Sequence, residues 1–240
     1  MKAAQPPTTE RIRRWNATHS GNLATTALIA INVLVFVIGA AVSGGDALLG
    51  GGRVDSFHQR WALVLPLVQD GEYWRLLTSG FLHFGIIHLA LNMWALFQLG
   101  RALENTLGRA RFVGVYFASL LAGSAAVLVL QRIGGESSWS FTAGASGAIF
   151  GLLGCLAAGM RARGISVMRS GIGATLLINL VITLTIPGIS IGGHVGGLIG
   201  GAICGALLLS PRPSVSKQVA NLAPVLVSVA SIILAVAVSR

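Results

Sequence analysis

Apolar residues in this chain gather into long unbroken runs, without the polar interruptions that mark a half-buried soluble element. A helix needs about 20 apolar residues, within a usual range of about 17–25, to cross the hydrocarbon core of a bilayer. Seven runs are candidates: residues 23–42, 86–103, 112–131, 145–160, 171–186, 191–209 and 219–238. The fourth and fifth are short. That predicts helices that start below the membrane surface, with irregular backbone lining a cavity. The first run is too long and starts too late for a cleaved signal peptide, so it reads as a retained transmembrane helix. The expected organisation is a cytoplasmic segment at 1–22, a membrane core at 23–210 with a long outer loop at 43–85, and a linker with a last transmembrane helix at 211–240.

Composition agrees. Of the 240 residues, 54% are hydrophobic and 10% charged, and mean hydropathy is +0.78. A soluble domain carries about 25% charged residues. The chain is therefore expected to be an all-α polytopic membrane protein with the lipid bilayer as its solvent. A net charge of +10 in a soluble chain would point to nucleic acid. Here its distribution points elsewhere. With the N-terminus inside, the inner segments hold Lys2, Arg11, Arg13 and Arg14, then Arg101, Arg109 and Arg111, then Arg161, Arg163 and Arg169, then Arg212 and Lys217. Those are twelve of the 17 basic residues, and the outer side keeps Arg53, Arg60, Arg75, Arg132 and Arg240. This is the positive-inside asymmetry. It predicts a cytoplasmic N-terminus and an external C-terminus, and no nucleic-acid partner is expected. Cys155 and Cys204 lie inside apolar runs and read as free, buried small hydrophobes.

The outer loop is too long for a simple turn. Its stretch "RWALVLPLVQDGEYWRLLTSGFLHFG" carries Trp61, Tyr73 and Trp74, so part of it is expected in the interface, where aromatic rings favour the headgroup level.

Polar residues in the runs cluster at one depth. Run two opens with "HFGIIHLALNMW", carrying His83, His88 and Asn92; run four opens with Gly144-Ala145-Ser146-Gly147; run six opens with Gly193-His194. All three runs point from outside to inside, so these groups share a level near the outer leaflet. Ionisable groups within a membrane are costly and mark a functional site by default. His88 and Asn92, spaced i, i+4, share a helix face. Ser146 falls at a helix start, where backbone N–H groups lack intrahelical partners and suit a developing oxyanion. Asn92 and His88 are candidate donors to the same oxygen. Gly193, Gly197, Gly201 and Gly205 recur every four residues in run six, and run four has Gly144, Gly147, Gly151 and Gly154. Small residues so spaced allow close helix approach, which would bring His194 to Ser146. A serine nucleophile needs such a base. None of the Asp or Glu residues lies at the level of the cluster: Glu104 is at the inner end of run two, and Glu72 and Glu136 are in outer loops. The expectation is a Ser–His dyad, not a triad.

The stretches "EYWRLLTSGFLHFGIIHLALNMWALFQLGRALE", "GASGAIFGLLG" and "GGHVGGLIGG" stand in this order between about Glu72 and Leu209. In this the chain resembles the rhomboid intramembrane serine proteases. The resemblance implies a six-helix core, here with an added seventh helix at 219–238. It implies Ser146 as nucleophile, His194 as base, and His88, Asn92 and the Ser146 N–H as the oxyanion hole. Phe150 falls where the family has an aromatic ring packed on the base, and Gly144 and Gly147 support the site. Trp74-Arg75 match a structural pair of the first loop, and Glu104 an acidic residue that ties the inner end of run two to its neighbours. The implied substrate is a transmembrane helix of another protein, unwound near the outer leaflet and cut beside a small residue. Run five and the loop "TIPGISIGG" are expected to gate its lateral entry. No cofactor and no metal is expected, the sequence gives no signal of oligomeric state, and a prokaryotic plasma membrane is expected because no organelle presequence is evident.

Other readings compete. Taken singly, Ser146 reads as a packing residue, and His194, His83 and Asn92 as structural hydrogen-bonding groups; Asn179 and Gln98 read as polar links within the bundle. Some relatives of the family lack the catalytic pair and only bind or route membrane clients, but here both Ser146 and His194 are present. A transporter would show internal repeats and acidic residues at the midplane, and neither is found. A metal site at His83, His88 and His194 lacks a carboxylate or Cys at the same level.

Overall fold

The computed structural model describes residues 21–43, 54–211 and 216–240. The expectations for residues 1–20, for the start of the outer loop with Arg53, and for Arg212 fall outside them. Among the described residues the chain is helical, with one isolated antiparallel bridge, between Leu63 and Thr142. The helices are α1 (Leu23–Val42), α2 (Ser56–Trp61), α3 (Leu65–Gln69), α4 (Arg75–Thr78), α5 (Ile86–Leu107), α6 (Arg109–Arg132), α7 (Ser146–Ala162), α8 (Gly171–Thr185), α9 (Ile191–Leu208) and α10 (Lys217–Ser239). Five of them, α1, α5, α6, α9 and α10, are long and apolar enough to cross a membrane, while α7 and α8 are shorter apolar helices. Helix α5 runs past the apolar stretch to Leu107, and α6 starts at Arg109, because Gly108 at φ +81 ends one helix and opens the next.

Buried polar groups fix how these helices start. The first backbone N–H groups of α1 have no partner inside the helix, and Asn22 before it makes no side-chain cap. Glu104 of α5 supplies one instead. Its carboxylate accepts from Ala24 N at 3.1 Å, Thr25 N at 2.9 Å and Thr25 Oγ1 at 2.7 Å. A negative group at a helix N-terminus also suits the helix dipole.

Glycines set the centre of the bundle. The row Gly197, Gly201 and Gly205 of α9 lies on the backbone of α7: Cβ atoms there would overlap the carbonyls of Gly147, Gly151 and Cys155 in turn. The second row, Gly192, Gly196 and Gly200, lies on Ala126, Ala122 and Val127 of α6. Helix α9 is thus wedged between α7 and α6, with a row of its own glycines at each contact.

The described part of the segment between α1 and α5 is docked on the end of this bundle. Arg75 is buried, and its guanidinium donates to Glu72 Oε2 at 2.7 Å, Gln59 O at 2.9 Å and Ala62 O at 2.6 Å. Ser124 Oγ of α6 donates to Leu76 O at 2.8 Å, and Gln131 Oε1 accepts from Leu65 N at 2.8 Å. Tyr73 and Trp74 keep exposed rings. Gln98 is exposed, and Asn179 Nδ2 donates to Thr175 O of its own helix at 2.8 Å, so neither links helices as expected. Cys155 and Cys204 are buried free thiols.

Candidate catalytic site

The chain enters α7 through Gly144, whose φ of +137 lies in the region glycine favours. Its N–H donates to Ser79 O at 2.9 Å, which pins the turn to the segment before α5. Ser146 is the first residue of α7, so its N–H has no acceptor within the helix. Across from it, Ser190 caps α9: its Oγ accepts from Gly193 N at 3.1 Å. Glu136, from the segment joining α6 to α7, accepts from Gly192 N at 3.1 Å and Ser190 Oγ at 3.1 Å. His194 therefore sits in the capped first turn of α9, facing the first turn of α7.

The wedge of glycines brings the two together: Ser146 Oγ lies 2.8 Å from His194 Nε2. The Phe150 ring, one turn after Ser146, stacks on the imidazole with centroids 4.0 Å apart and planes 15° from parallel. The opposite edge of the ring is also held. Thr183 Oγ1, on α8, lies 2.7 Å from His194 Nδ1.

Gly144 lies between Ser146 and His88. A Cβ on it would lie 3.0 Å from His88 Cε1, 3.1 Å from His88 Nε2 and 3.5 Å from Ser146 Oγ, so the missing side chain is what lets His88 come this close. His88 stands in the first turn of α5, with the buried His83 ring packed edge-on at 5.0 Å. Asn92, one turn further on, is buried, and its Nδ2 donates to His88 O at 2.9 Å. Ser146, His194, Phe150, His88 and Gly144 thus converge on one spot. Asn92 stands behind His88, and no contact between it and Ser146 is formed. Gly147 sits at the helix crossing, where a Cβ would lie 3.1 Å from Gly193 O. Among the described residues no group of three or more His, Cys, Asp or Glu side chains could hold a metal ion.

Sequence reasoning missed Thr183 and gave Glu136 no part. Thr183 had a signal: it stands three residues before the end of run five, at the depth of the cluster, and four after Asn179. Nothing in its local sequence separates it from Thr175 or Thr185, whose hydroxyls bond to their own helix.

Comparison with known proteins gives a coherent picture. The family model described as "Rhomboid domain" matches residues 70–211. Rhomboid protease GluP of Bacillus subtilis is 38% identical over 132 residues, 55% of this chain and 24% of its own length. Putative rhomboid protease YdcA of Bacillus subtilis is 42% identical over 87 residues, 36% of this chain and 41% of its own length. Inactive RHOMBOID-like protein 8 of Arabidopsis thaliana is 34% identical over 118 residues, 49% of this chain and 31% of its own length. The chain thus spans well under half the length of each of these relatives.

Proposed function

The chain belongs to the rhomboid family, and on that premise we propose that it is an intramembrane serine endopeptidase working through a Ser146–His194 dyad. The observation that carries the proposal is the 2.8 Å contact between Ser146 Oγ and His194 Nε2 at the mouths of two helices. In the proposed reaction Ser146 Oγ attacks the scissile carbonyl carbon while its proton passes to His194 Nε2. The carbonyl π pair moves to oxygen, giving a tetrahedral oxyanion. That oxygen is placed beside Gly144, where the Ser146 N–H and His88 Nε2–H donate to it. Asn92 holds the His88 turn and offers its second amide hydrogen to the same region. Collapse breaks the C–N bond, and the leaving nitrogen takes the proton from His194. Water then attacks the acyl-enzyme, again with His194 as base, and frees Ser146. Phe150 keeps the imidazole plane aligned throughout.

The substrate class follows from the setting. The site lies at helix ends in a chain built for lipid, so we assign it transmembrane segments of other proteins, cut near the outer leaflet. A helical peptide hides its carbonyls in hydrogen bonds, so the scissile stretch must unwind first, and helix-breaking residues lower that cost. The seven apolar helices are taken as six core spans and an added seventh. The N-terminus is assigned to the cytoplasm and the C-terminus to the outside of a plasma membrane. Entry of substrate is assigned to the α5–α8 side: cross-linking these helices should block large substrates, and undiminished cleavage would remove that assignment.

The test is cleavage of a transmembrane substrate by the full chain in liposomes. Ser146→Ala and His194→Ala should each lower the rate by about a thousandfold or more, and the wild type should react with a fluorophosphonate. Cleavage by Ser146→Ala at the wild-type rate would refute the mechanism. The similarity to a relative named inactive favours one other reading, a client-binding protein. A wild type inert toward both substrate panel and fluorophosphonate would select it.

A further inference from the structure

The face of His194 turned away from Ser146 has a partner that nothing so far explains. Thr183 Oγ1 is 2.7 Å from His194 Nδ1 and also 2.7 Å from Asn179 O, the carbonyl one turn back in α8. Thr183 is 2% exposed. Its one hydrogen and its lone pairs decide which nitrogen of the ring carries a proton.

Two arrangements compete in the neutral ring. With the proton on Nδ1, the ring donates to Thr183 Oγ1 and Thr183 donates to Asn179 O. Nε2 is then free to accept from Ser146, and every donor in the chain Ser146–His194–Thr183–Asn179 has an acceptor. With the proton on Nε2, Thr183 must spend its one hydrogen on Nδ1, and Asn179 O loses it. Ser146 then faces an N–H and has no base. The first arrangement holds one more hydrogen bond than the second, and it is the competent one. When His194 takes the proton of Ser146, Thr183 also accepts from the Nδ1–H of the imidazolium. A hydroxyl does this without a second buried charge, which at this depth would carry a large desolvation cost.

We propose that Thr183 is a positioning residue that holds His194 in the Nδ1–H tautomer and so keeps Nε2 available to Ser146. The proposal rests on the Ser146–His194 reading above. Thr183 does not touch the reacting atoms; it acts through the base, from a different helix.

Two readouts on the full chain in micelles test it. The first is the ¹⁵N spectrum of histidine-labelled protein, with the His194 signals identified by their loss in His194→Ala. It is recorded above about pH 8, where an ordinary imidazole is neutral. The wild type should show a protonated Nδ1 and a bare Nε2. Thr183→Val, similar in shape but without the hydroxyl, should show a mixture of tautomers. Thr183→Ser should restore the wild-type pattern. The second readout is cleavage. Loss of one neutral hydrogen bond should lower kcat about threefold to tenfold in Thr183→Val, with KM within about twofold of wild type, and Thr183→Ser should recover it. A wild-type ring protonated on Nε2 overturns the proposal, as does a Thr183→Val protein with unchanged spectrum and kcat. A Thr183→Ser protein as impaired as Thr183→Val also overturns it, because the γ-methyl packing would then matter and not the hydroxyl. If Ser146→Ala cuts as well as wild type, or the wild type is inert, the protease reading fails instead, and the nitrogen spectrum alone decides the placement of Thr183.

Discussion

Helices α9 and α8 each bring one residue to the same imidazole chain, yet they are held in place by different means. Helix α9 buries Gly192, Gly193, Gly196, Gly197, Gly200, Gly201, Cys204 and Gly205, and lies backbone-to-backbone on α7. Helix α8 buries only Gly173 and Thr183 and turns Leu177, Ile178, Val181 and Leu184 outward. Contacts without side chains leave nothing to rearrange, so the His194–Ser146 distance is set by two stiff backbones in van der Waals contact. An apolar helix facing lipid gains little from packing on protein, because lipid tails solvate its side chains equally well. Near its C-terminal end α8 meets the bundle through Thr183. Ser146 and His194 thus sit on the rigid part of the molecule, while Thr183, proposed to orient the base, sits on a helix with few buried residues.

The largest expected effect comes from breaking the rigid half. Gly201→Val drives a branched side chain into the Gly151 carbonyl and should destabilise the protein by about 3 kcal/mol or more, with cleavage abolished. Thermal unfolding in detergent, run beside the cleavage assay, checks both; an unchanged midpoint would show that α7 and α9 can separate freely. Gly144→Ala probes the turn that feeds this interface. It adds backbone strain and a methyl between His88 and Ser146. A fall in kcat of about a hundredfold is expected, the scale of a disabled oxyanion hole, with a stability loss of about 1–3 kcal/mol. Unaltered kcat in the purified variant would move the oxyanion site elsewhere. Phe150→Leu removes the stacked ring but keeps apolar bulk. The loss of about 1 kcal/mol should appear as a roughly fivefold lower kcat with little change in KM. At the small end is the loosely held helix itself. Leu177→Ala, on the outward face of α8, should shift stability by no more than about 0.5 kcal/mol. A drop as large as that of Gly201→Val would show that α8 is packed as firmly as α9 and would end the contrast.

Much of the fold was legible because hydropathy acts locally. Seven apolar runs became seven helices, including the two expected to be short, and glycine rows at four-residue spacing marked where helices touch. Ser146 and His194 stood out because a polar group in an apolar, glycine-rich setting is rare. Other features stayed hidden because they depend on pairs far apart in the chain. That Glu104 caps α1 rests on contacts across about 80 residues. Glu136 reads in sequence as one more loop carboxylate, and only the fold sets it on the first turn of α9. That one amide hydrogen of Asn92 goes to His88 O, one turn back in its own helix, was likewise not legible.

By itself the sequence determined that the chain is made for lipid, where its seven apolar helices run, and which serine and histidine open two of them. Those follow from transfer free energies summed over local stretches, and order along the chain is enough to fix them. The tertiary structure alone decided which glycine row faces which helix, how near Ser146 comes to His194, and that a threonine closes the far side of the ring. Such contacts depend on the rotation and register of whole helices, to which the periodicity of any single segment is blind.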